Sequence, residues 1–522
     1  MKKQVIIILI AFFFKAAVFS QSCLPQGITL NTQEEIDNFQ TNFPGCTEIE
    51  GSLNIAGTNI TNLTGLSILT AIGEDLYIYD NNNLTSLIGL NYITTIGGDL
   101  FIFRNDTLTN FTGLGNLTTI GGALFVNDNN ILTSLEGLNN LSSIGSFIRV
   151  SRNDSLTSLT GLNNITIVEE YLDITNNDAL TSLEGLNNIT TIKEYLTFFG
   201  NDALSSIDEL YNLTTINENL SIACNDTLIN LYGLTNLTTI SGDLNIYENN
   251  SLINLDGLNN LTSIGGKLNI IYNHTLTCLD GLNNLTTISG GLTINSNSTI
   301  TSLEGLNNLT TISGGLTINS NSTITSLEGL NNVTTIGGEL NVKFNDALTS
   351  LSSLNNVTTI GGSIFIINNS ALTNLEGLDN INAETISYLI IVSNYSLSTC
   401  EVKSVCDYLA NPNPNGCIDI SYNAPGCNSK EEVEEACIVS VYNNSKPEIS
   451  IYPNPTKNKL FLLAKNGVTI NEVTIYNQLG KKVLHKNRIL SSIDISMLGQ
   501  GMYIIELFSG GTMIREKLII EK

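Results

Sequence analysis

The two histidines are the side chains of this sequence best suited to acid–base chemistry at neutral pH. His274 lies in the middle of the chain and His485 near its end, and neither accompanies a recurrent serine or cysteine motif. A nucleophilic triad needs such a partner within hydrogen-bond reach of the imidazole. The histidines therefore give no support to a hydrolase of that kind.

Carboxylates are abundant, with 48 Asp and Glu, but they are scattered at turn positions. A glycosidase needs two facing carboxyl groups, and no pair at strand ends stands out, although counting alone leaves such a pair open. Turns such as Asp80–Asn83 lack the ligand spacing of an EF-hand, and turn propensity explains them. We predict no catalytic residue, no cofactor and no metal site.

Nine cysteines are placed mainly at two points of the chain. Cys23 and Cys46 stand near the start, five cluster between Cys400 and Cys437, and Cys224 and Cys278 stand alone. None shows the CxxC and histidine spacing of a zinc site. We expect disulfides at both ends of the region between the clusters, with connectivity open and at least one cysteine unpaired.

Charge and the first residues indicate an exported chain. The formal net charge is -26, with 30 acidic and six basic residues between 51 and 399, so the acidic body repels nucleic acid. A basic start, Met1–Lys3, and an apolar run, Val5–Phe14, predict a signal peptide over 1–22. No other segment is apolar enough to cross a membrane, which predicts no transmembrane segment in the mature chain.

A repeat of 24 residues organises most of the sequence. The stretch LTTISGGLTINSNSTITSLEGLNN occupies 285–308 and starts again at 309. The third residue of each LxGL-like motif recurs every 24 positions, which predicts a solenoid of fourteen coils. These residues are Gly65, Gly89, Gly113, Gly137, Gly161, Gly185, Glu209, Gly233, Gly257, Gly281, Gly305, Gly329, Ser353 and Gly377.

Each coil has one short strand and a run of apolar residues at every third position. In the strand Leu292–Ile294, the first and last side chains point inward and the middle one outward. Ile300, Leu303 and Leu306 then follow at a spacing that suits tight turns and extended segments rather than an amphipathic helix. The interior of a coil is therefore aliphatic, and stacking must complete it.

One polar column crosses this apolar plan. Because an amide both donates and accepts hydrogen bonds, stacked asparagines can bond the backbone at the turn after each strand. We interpret the column as a structural ladder, not as a catalytic or sugar-binding row. Its members are Asn81, Asn105, Asn129, Asn153, Asn177, Asn201, Asn225, Asn249, Asn273, Asn297, Asn321, Asn345 and Asn369, with Asn394 continuing it after a one-residue slip.

The outward strand positions of the first coils are aromatic and basic. Five rings side by side would form an apolar patch of the kind that marks an interface, whereas later coils carry Thr, Asn and Ser there. Cross-strand ring pairs also stabilise a sheet, so a purely structural role stays open. The candidate partner-binding residues are Tyr77, Tyr79, Phe101, Phe103, Phe125, Arg104 and Arg149, with Arg152 close by.

The coils resemble leucine-rich repeats, and Cys46–Ile55 is similar to the opening of a receptor L domain. The resemblance covers about residues 23–437. It implies a mainly β, right-handed leucine-rich-repeat solenoid, with disulfide-stabilised caps, of the kind usually used to bind proteins or glycans. It identifies no ligand.

The last part of the chain has a sequence pattern different from that of the repeats. Short alternating strands separated by Gly, Asn and Pro turns predict a small β-sandwich. An ordered motif series follows, whose residues are Tyr452, Pro453, Asn454, Pro455, Gly480, Gly501, Tyr503 and Lys522. This series closely resembles the type A C-terminal sorting domain of the type IX (Por) secretion system of Bacteroidetes. The resemblance implies the type IX machinery as a partner and a secreted or outer-surface location on a Gram-negative cell.

These observations predict six segments: a signal peptide 1–22, an N-terminal cap 23–50, a solenoid 51–399, a Cys-rich C-terminal cap 400–437, a linker 438–449 and a sorting domain 450–522. The function that they favour is non-enzymatic, adhesin-like binding of an extracellular protein or glycan through the solenoid sheet. Two alternatives stay open: a carbohydrate-binding or carbohydrate-degrading surface protein, and a purely structural surface or matrix component.

Overall fold

A computed structural model describes residues 21–444, 449–464, 470–487, 492–509 and 512–522. The predicted signal peptide therefore lies outside the described residues, apart from its last two positions. The chain divides into two compact units, 1–432 and 433–522.

The first unit is built on one sheet of seventeen parallel strands, called here the long-strand sheet. Each strand pairs with the strands of the preceding and following coils in equal register, so that Leu292 faces Leu268 on one side and Leu316 on the other. The strands are Ile28–Leu30, Leu53–Ile55, Leu76–Tyr79, Leu100–Phe103, Leu124–Asn127, Ile148–Ser151, Leu172–Thr175, Leu196–Phe199, Leu220–Ala223, Leu244–Tyr247, Leu268–Ile271, Leu292–Asn295, Leu316–Asn319, Leu340–Lys343, Ile364–Ile367, Leu389–Val392 and Ile418–Ser421.

Strands of two residues line another side of the coils, in parallel sheets of six and nine strands. Together with the long-strand sheet they confirm the predicted mainly β solenoid with a 24-residue period. The six are Ser22–Cys23, Glu48–Ile49, Ala71–Ile72, Thr95–Ile96, Thr119–Ile120 and Ser143–Ile144. The nine are Ile167–Val168, Thr191–Ile192, Thr215–Ile216, Thr239–Ile240, Ser263–Ile264, Thr287–Ile288, Thr311–Ile312, Thr335–Ile336 and Thr359–Ile360.

The interior is a continuous aliphatic column. In the coil that starts at Leu292, the side chains of Leu292, Ile294, Ile300, Leu303 and Leu306 are fully buried. Burying each such side chain contributes about 1.5–3 kcal/mol, and the surface is removed from water only because a neighbouring coil covers it.

The asparagine column lies inside the solenoid with its side chains fully buried from Asn81 to Asn394. Asn297 is typical: its Nδ2 donates to the backbone oxygens of Ile270 (2.8 Å) and Asn295 (3.1 Å). Its Oδ1 accepts from the backbone nitrogen of Asn273 at 3.0 Å. The column begins beside Gly57 and ends at Asn423, one rung beyond those recognised in the sequence.

The LxGL turn takes two forms. In eight coils its glycine has a φ between +104° and +124°, as at Gly305 and Gly161, a region that side chains disfavour. In six coils the turn is a 3₁₀ helix without a positive φ, and the two exceptions to glycine, Glu209 and Ser353, both fall there. These helices are Thr64–Leu66, Asp208–Leu210, Tyr232–Leu234, Asp280–Leu282, Ser352–Leu354 and Glu376–Leu378, with a seventh at Ala383–Thr385 elsewhere.

Caps close both ends of the solenoid, as predicted. Thr32 begins the first helix with a capping box, its side chain accepting from the backbone of Glu35. Disulfides join Cys23 to Cys46 and Cys400 to Cys427. The α-helices among the described residues are Gln33–Asp37, Phe39–Asn42, Lys403–Ala410 and Lys430–Asn444.

The second unit contains two antiparallel sheets that share one core, which confirms the predicted β-sandwich. Leu460 and Ile493 of the smaller sheet are buried with Val473, Ile505 and Leu518 of the larger. The smaller sheet contains Ile449–Tyr452, Lys459–Ala464 and Ser492–Asp494. The larger contains Glu472–Asn477, Lys482–Asn487, Gly501–Ser509 and Thr512–Ile520.

Candidate binding surface on the long-strand sheet

In the four-residue long strands, the second and fourth residues point away from the core. Tyr77 and Tyr79 occupy these positions in one strand, and Phe101 and Phe103 in the next. Phe125 follows at the second position of the third strand. The structure thus brings the five predicted rings onto one face, and they are called here the N-terminal aromatic surface.

The rings of this surface stack along the solenoid axis. The Tyr77 and Phe101 ring centroids are 4.7 Å apart with an interplanar angle of 3°, and those of Tyr79 and Phe103 are 4.9 Å apart at 6°. Phe125 tilts against Phe101 at 5.5 Å. The rings are half-buried rather than fully exposed, because each covers a face of its neighbour.

Two of the predicted arginines border the rings. Arg104 pairs with Asp80, Nε to Oδ1 3.1 Å, and its guanidinium lies 5.3 Å from the centre of the Phe103 ring. Arg149 is the strand partner of Phe125. Its Nε lies 3.3 Å from Asp173 Oδ2 in an ion pair, and this buried atom makes no hydrogen bond to the described residues.

A second ring stack continues this surface and was missed in the sequence. Phe147, Tyr171 and Tyr195 stack with 4.5 Å between successive centroids and interplanar angles of 5° and 7°. Burial raises the pKa of Tyr195 to about 12, with Tyr171 and Asp173 adding to the effect. The 24-residue spacing of these rings was a usable signal, but they stand one position before the strands, outside the two outward columns considered.

The last coils carry another apolar group, also missed. Phe365 pairs with Ile390, and Ile367 with Val392, on the outward face. The Lys343 ammonium lies 4.3 Å from the centre of the Phe365 ring. An extra residue between these coils makes the spacing 25 there, the same slip that separates Asn369 from Asn394 in the asparagine column.

The central coils have the same outward positions without rings. Thr293 and Asn295 are followed 24 residues later by Thr317 and Asn319, and Asn319 Nδ2 donates to Asn295 Oδ1 at 3.2 Å. These strands therefore present a polar face, and its asparagines already form a hydrogen bond between neighbouring coils.

Each histidine has a polar side-chain partner at Nδ1, and for His274 that partner is a serine that the sequence pattern did not reveal. Ser298 Oγ lies 3.3 Å from His274 Nδ1, and Glu472 lies 3.3 Å from His485 Nδ1 in the other unit. Burial raises the pKa of the free Cys224 thiol to about 11, which keeps it protonated at neutral pH. Within the described residues, no group of three or more His, Cys, Asp or Glu is placed to hold a metal ion.

The sorting motif residues lie at the ends of strands in the second unit. Asn454, between Pro453 and Pro455, donates from Nδ2 to the Lys517 oxygen (2.6 Å) and accepts at Oδ1 from the Ile519 nitrogen (2.8 Å). Further contacts complete the set: Tyr452 stacks on Phe461, Gly480 closes a turn, Gly501 begins a strand, Tyr503 donates to the Gly499 oxygen and Lys522 to the Ser496 oxygen.

Comparison with known families matches both units. The receptor L domain family model matches residues 45–163, 212–283 and 310–410, together more than half of the chain. The secretion system C-terminal sorting domain model matches residues 450–521, which indicates secretion and an outer-surface location. Comparison with curated proteins gave no match. In the part of the chain that the structure describes, no helix has the length and apolar character needed to span a membrane.

Proposed function

Since the chain belongs to the receptor L domain family, we propose that it is a non-enzymatic, adhesin-like surface protein whose N-terminal aromatic surface binds an extracellular protein. The observation that carries this proposal is the joint placement of five rings and two arginines on one open sheet face. Tyr and Arg are the residue types enriched at binding hot spots, and here they stand in an otherwise acidic solenoid.

The stacking geometry favours a protein ligand over a glycan. Sugars bind aromatic side chains through a free ring face. Here Tyr77 lies face to face with Phe101 at 4.7 Å, and Tyr79 with Phe103 at 4.9 Å, so each of these rings has a face covered by its neighbour. The ring edges and the guanidinium groups remain available, which suits apolar and acidic side chains of a protein partner. A glycan array and a hydrolase screen test the carbohydrate alternative directly.

The decisive experiment compares two sets of three equivalent positions in the displayed protein. Tyr77, Phe101 and Phe125 are changed together to Ser, and the control changes Thr293, Thr317 and Asn341 to Ser at the same strand position of consecutive central coils. Saturable adhesion to protein-coated surfaces should fall by at least about tenfold in the first variant alone.

Equal adhesion of the two variants, at equal display levels, would remove the N-terminal aromatic surface from the binding function. Absence of saturable adhesion in the parent protein would instead favour a structural surface or matrix role, in which the rings act only as cross-strand stabilisers.

A further inference from the structure

The sorting domain exposes large apolar side chains at one end of its sandwich. Leu479 is 92% exposed and Met497 is 93% exposed, the highest values among the large apolar residues that the structure describes. Isolated apolar residues at a surface are ordinary, but nearly complete exposure of two of them in the short loops of a small domain is not. How these two loops are held decides what the exposure means.

A hydrogen-bonded turn fixes the position of Leu479. Asn477 Oδ1 accepts from the backbone nitrogens of Leu479 (3.1 Å) and Lys481 (3.0 Å). The Gly480 nitrogen donates to the Asn477 oxygen at 2.9 Å, and Gly480 itself has a φ of +72°, which glycine adopts readily. The turn is therefore preorganised with the leucine pointing into solvent.

The loop that carries Met497 is also anchored. Ile495 and Leu498, on either side of Met497, are buried in the sandwich core. Tyr503 donates to the Gly499 oxygen at 3.0 Å, and the Lys522 ammonium donates to the Ser496 oxygen at 3.1 Å. Met497 is thus exposed because its neighbours are held in place.

Both loops adjoin the start of strand Gly501–Ser509, the turn through the pairing of Asn477 with Tyr503 and the Met497 loop directly along the chain. A shallow depression of about 280 Å³ lies between Gln478 and Leu479 of the turn and Gln500 and Met502 around the start of that strand. Lys481 and Lys482 follow the turn directly, and both are exposed. Leu479, Met497 and Met502, with these two lysines, are called here the sorting-domain tip.

We propose that the sorting-domain tip docks into an apolar groove with an acidic rim on a protein component of the type IX secretion machinery. The inference rests on the sorting-domain match and goes beyond it by naming the contact surface. Fixed apolar anchors surrounded by charge resemble the centre and rim of a protein interface. Residues 451–522 hold ten basic and five acidic residues, so their charge complements an acidic partner.

The test changes Leu479 and Met497 together to Ser in the full chain. Surface display should fall by at least about tenfold, with the protein retained in the periplasm. A matched control changes Leu463 and Val483, exposed apolar residues on the strands of the same domain, to Ser and should be displayed like the parent. A second control, Leu479→Met in the parent, keeps an apolar side chain at the turn and should be displayed like the parent. Loss of display in the Ser variant alone would then be a loss of apolar contact.

Other outcomes count against the proposal. Normal display of the Leu479→Ser, Met497→Ser protein, or equal loss in the control, would overturn it. Purified parent protein that binds phosphatidylglycerol vesicles through these two residues would identify a membrane surface instead. The sorting assignment is tested separately, because it fails only if deletion of 450–522 leaves display intact. Adhesion by the solenoid should be unchanged in purified tip variants.

Discussion

The first coils and the duplicated central coils share one backbone and differ in what they present outward. Strand Leu100–Phe103 and strand Leu316–Asn319 have the same alternation of buried and half-buried residues, and each is followed by a buried ladder asparagine. The first presents two phenylalanines, and the second presents a threonine and an asparagine.

This difference shows that the residues that hold the fold and the residues that vary between coils occupy separate columns of the repeat. Inward aliphatics and the asparagine ladder hold the coil, and they recur in both regions. The outward positions carry no such constraint, since the solenoid accepts rings, arginines or threonines there. A duplication of central coils therefore lengthens the scaffold without adding rings to its outward face.

Breaking the asparagine ladder should have the largest effect. Asn297→Ala removes the acceptor for the Asn273 nitrogen and the donor to the Ile270 oxygen, leaving several buried groups unsatisfied. Each unsatisfied group costs about 1–3 kcal/mol, so we expect the free energy of unfolding to fall by about 3 kcal/mol or more. Urea unfolding followed by circular dichroism measures it.

Asn295→Ala is the matched control, because it changes the same residue type two positions earlier on the outward face. Its Oδ1 accepts only from half-buried side chains, Ser296 and Asn319. The free energy of unfolding of this variant should fall by less than about 1 kcal/mol. Similar losses for both variants would contradict the separation of inward and outward columns.

Much of the scaffold could be predicted because a repeat samples each position many times. A single asparagine at 297 says little, but thirteen at one spacing exclude chance and indicate a shared buried role. The same logic identified the strand alternation and the outward rings at Tyr77 and Phe101.

The remaining features depend on geometry that a linear pattern does not contain. Which LxGL turns become 3₁₀ helices was not predicted, although Glu209 and Ser353 mark two of them. Counting residues does not find the coplanar stacking of the rings, nor the position of the Lys343 ammonium over the Phe365 ring. The binding role of these surfaces remains a proposal.

Removing one of the two identical coils should have a smaller effect than breaking the ladder. Deleting residues 309–332 joins Asn308 to Val333, so that strands, aliphatics and ladder asparagines re-form the same contacts between the new neighbours. We expect normal display, unchanged adhesion and a modest decrease in the thermal midpoint. Lost adhesion would show that the central coils contribute to binding.

Grafting rings onto the central coils should sharpen the comparison further. Thr293→Tyr and Thr317→Phe place rings at positions equivalent to Tyr77 and Phe101. The pair should stack and stabilise the sheet by about 0.2–1 kcal/mol, measured by urea unfolding. Adhesion should not increase, because no arginine borders the graft. A gain in adhesion would mean that rings alone suffice.

The smallest expected effect is a pH-dependent change in stability from the ring stack of Phe147, Tyr171 and Tyr195. The central coils lack this stack, because Gly291 and Gly315 occupy the position equivalent to Tyr195. Burial raises the pKa of Tyr195 to about 12 from the 10.0 of a free phenol. The folded protein therefore holds this proton more tightly than the unfolded chain. The resulting contribution to stability is complete below pH 10 and is lost as the pH rises through about 12. Stability between these values should fall less steeply in Tyr195→Phe than in the parent. Urea unfolding at several alkaline pH values measures the slope in Tyr195→Phe and in the parent, and equal slopes would show that the stack does not shield Tyr195.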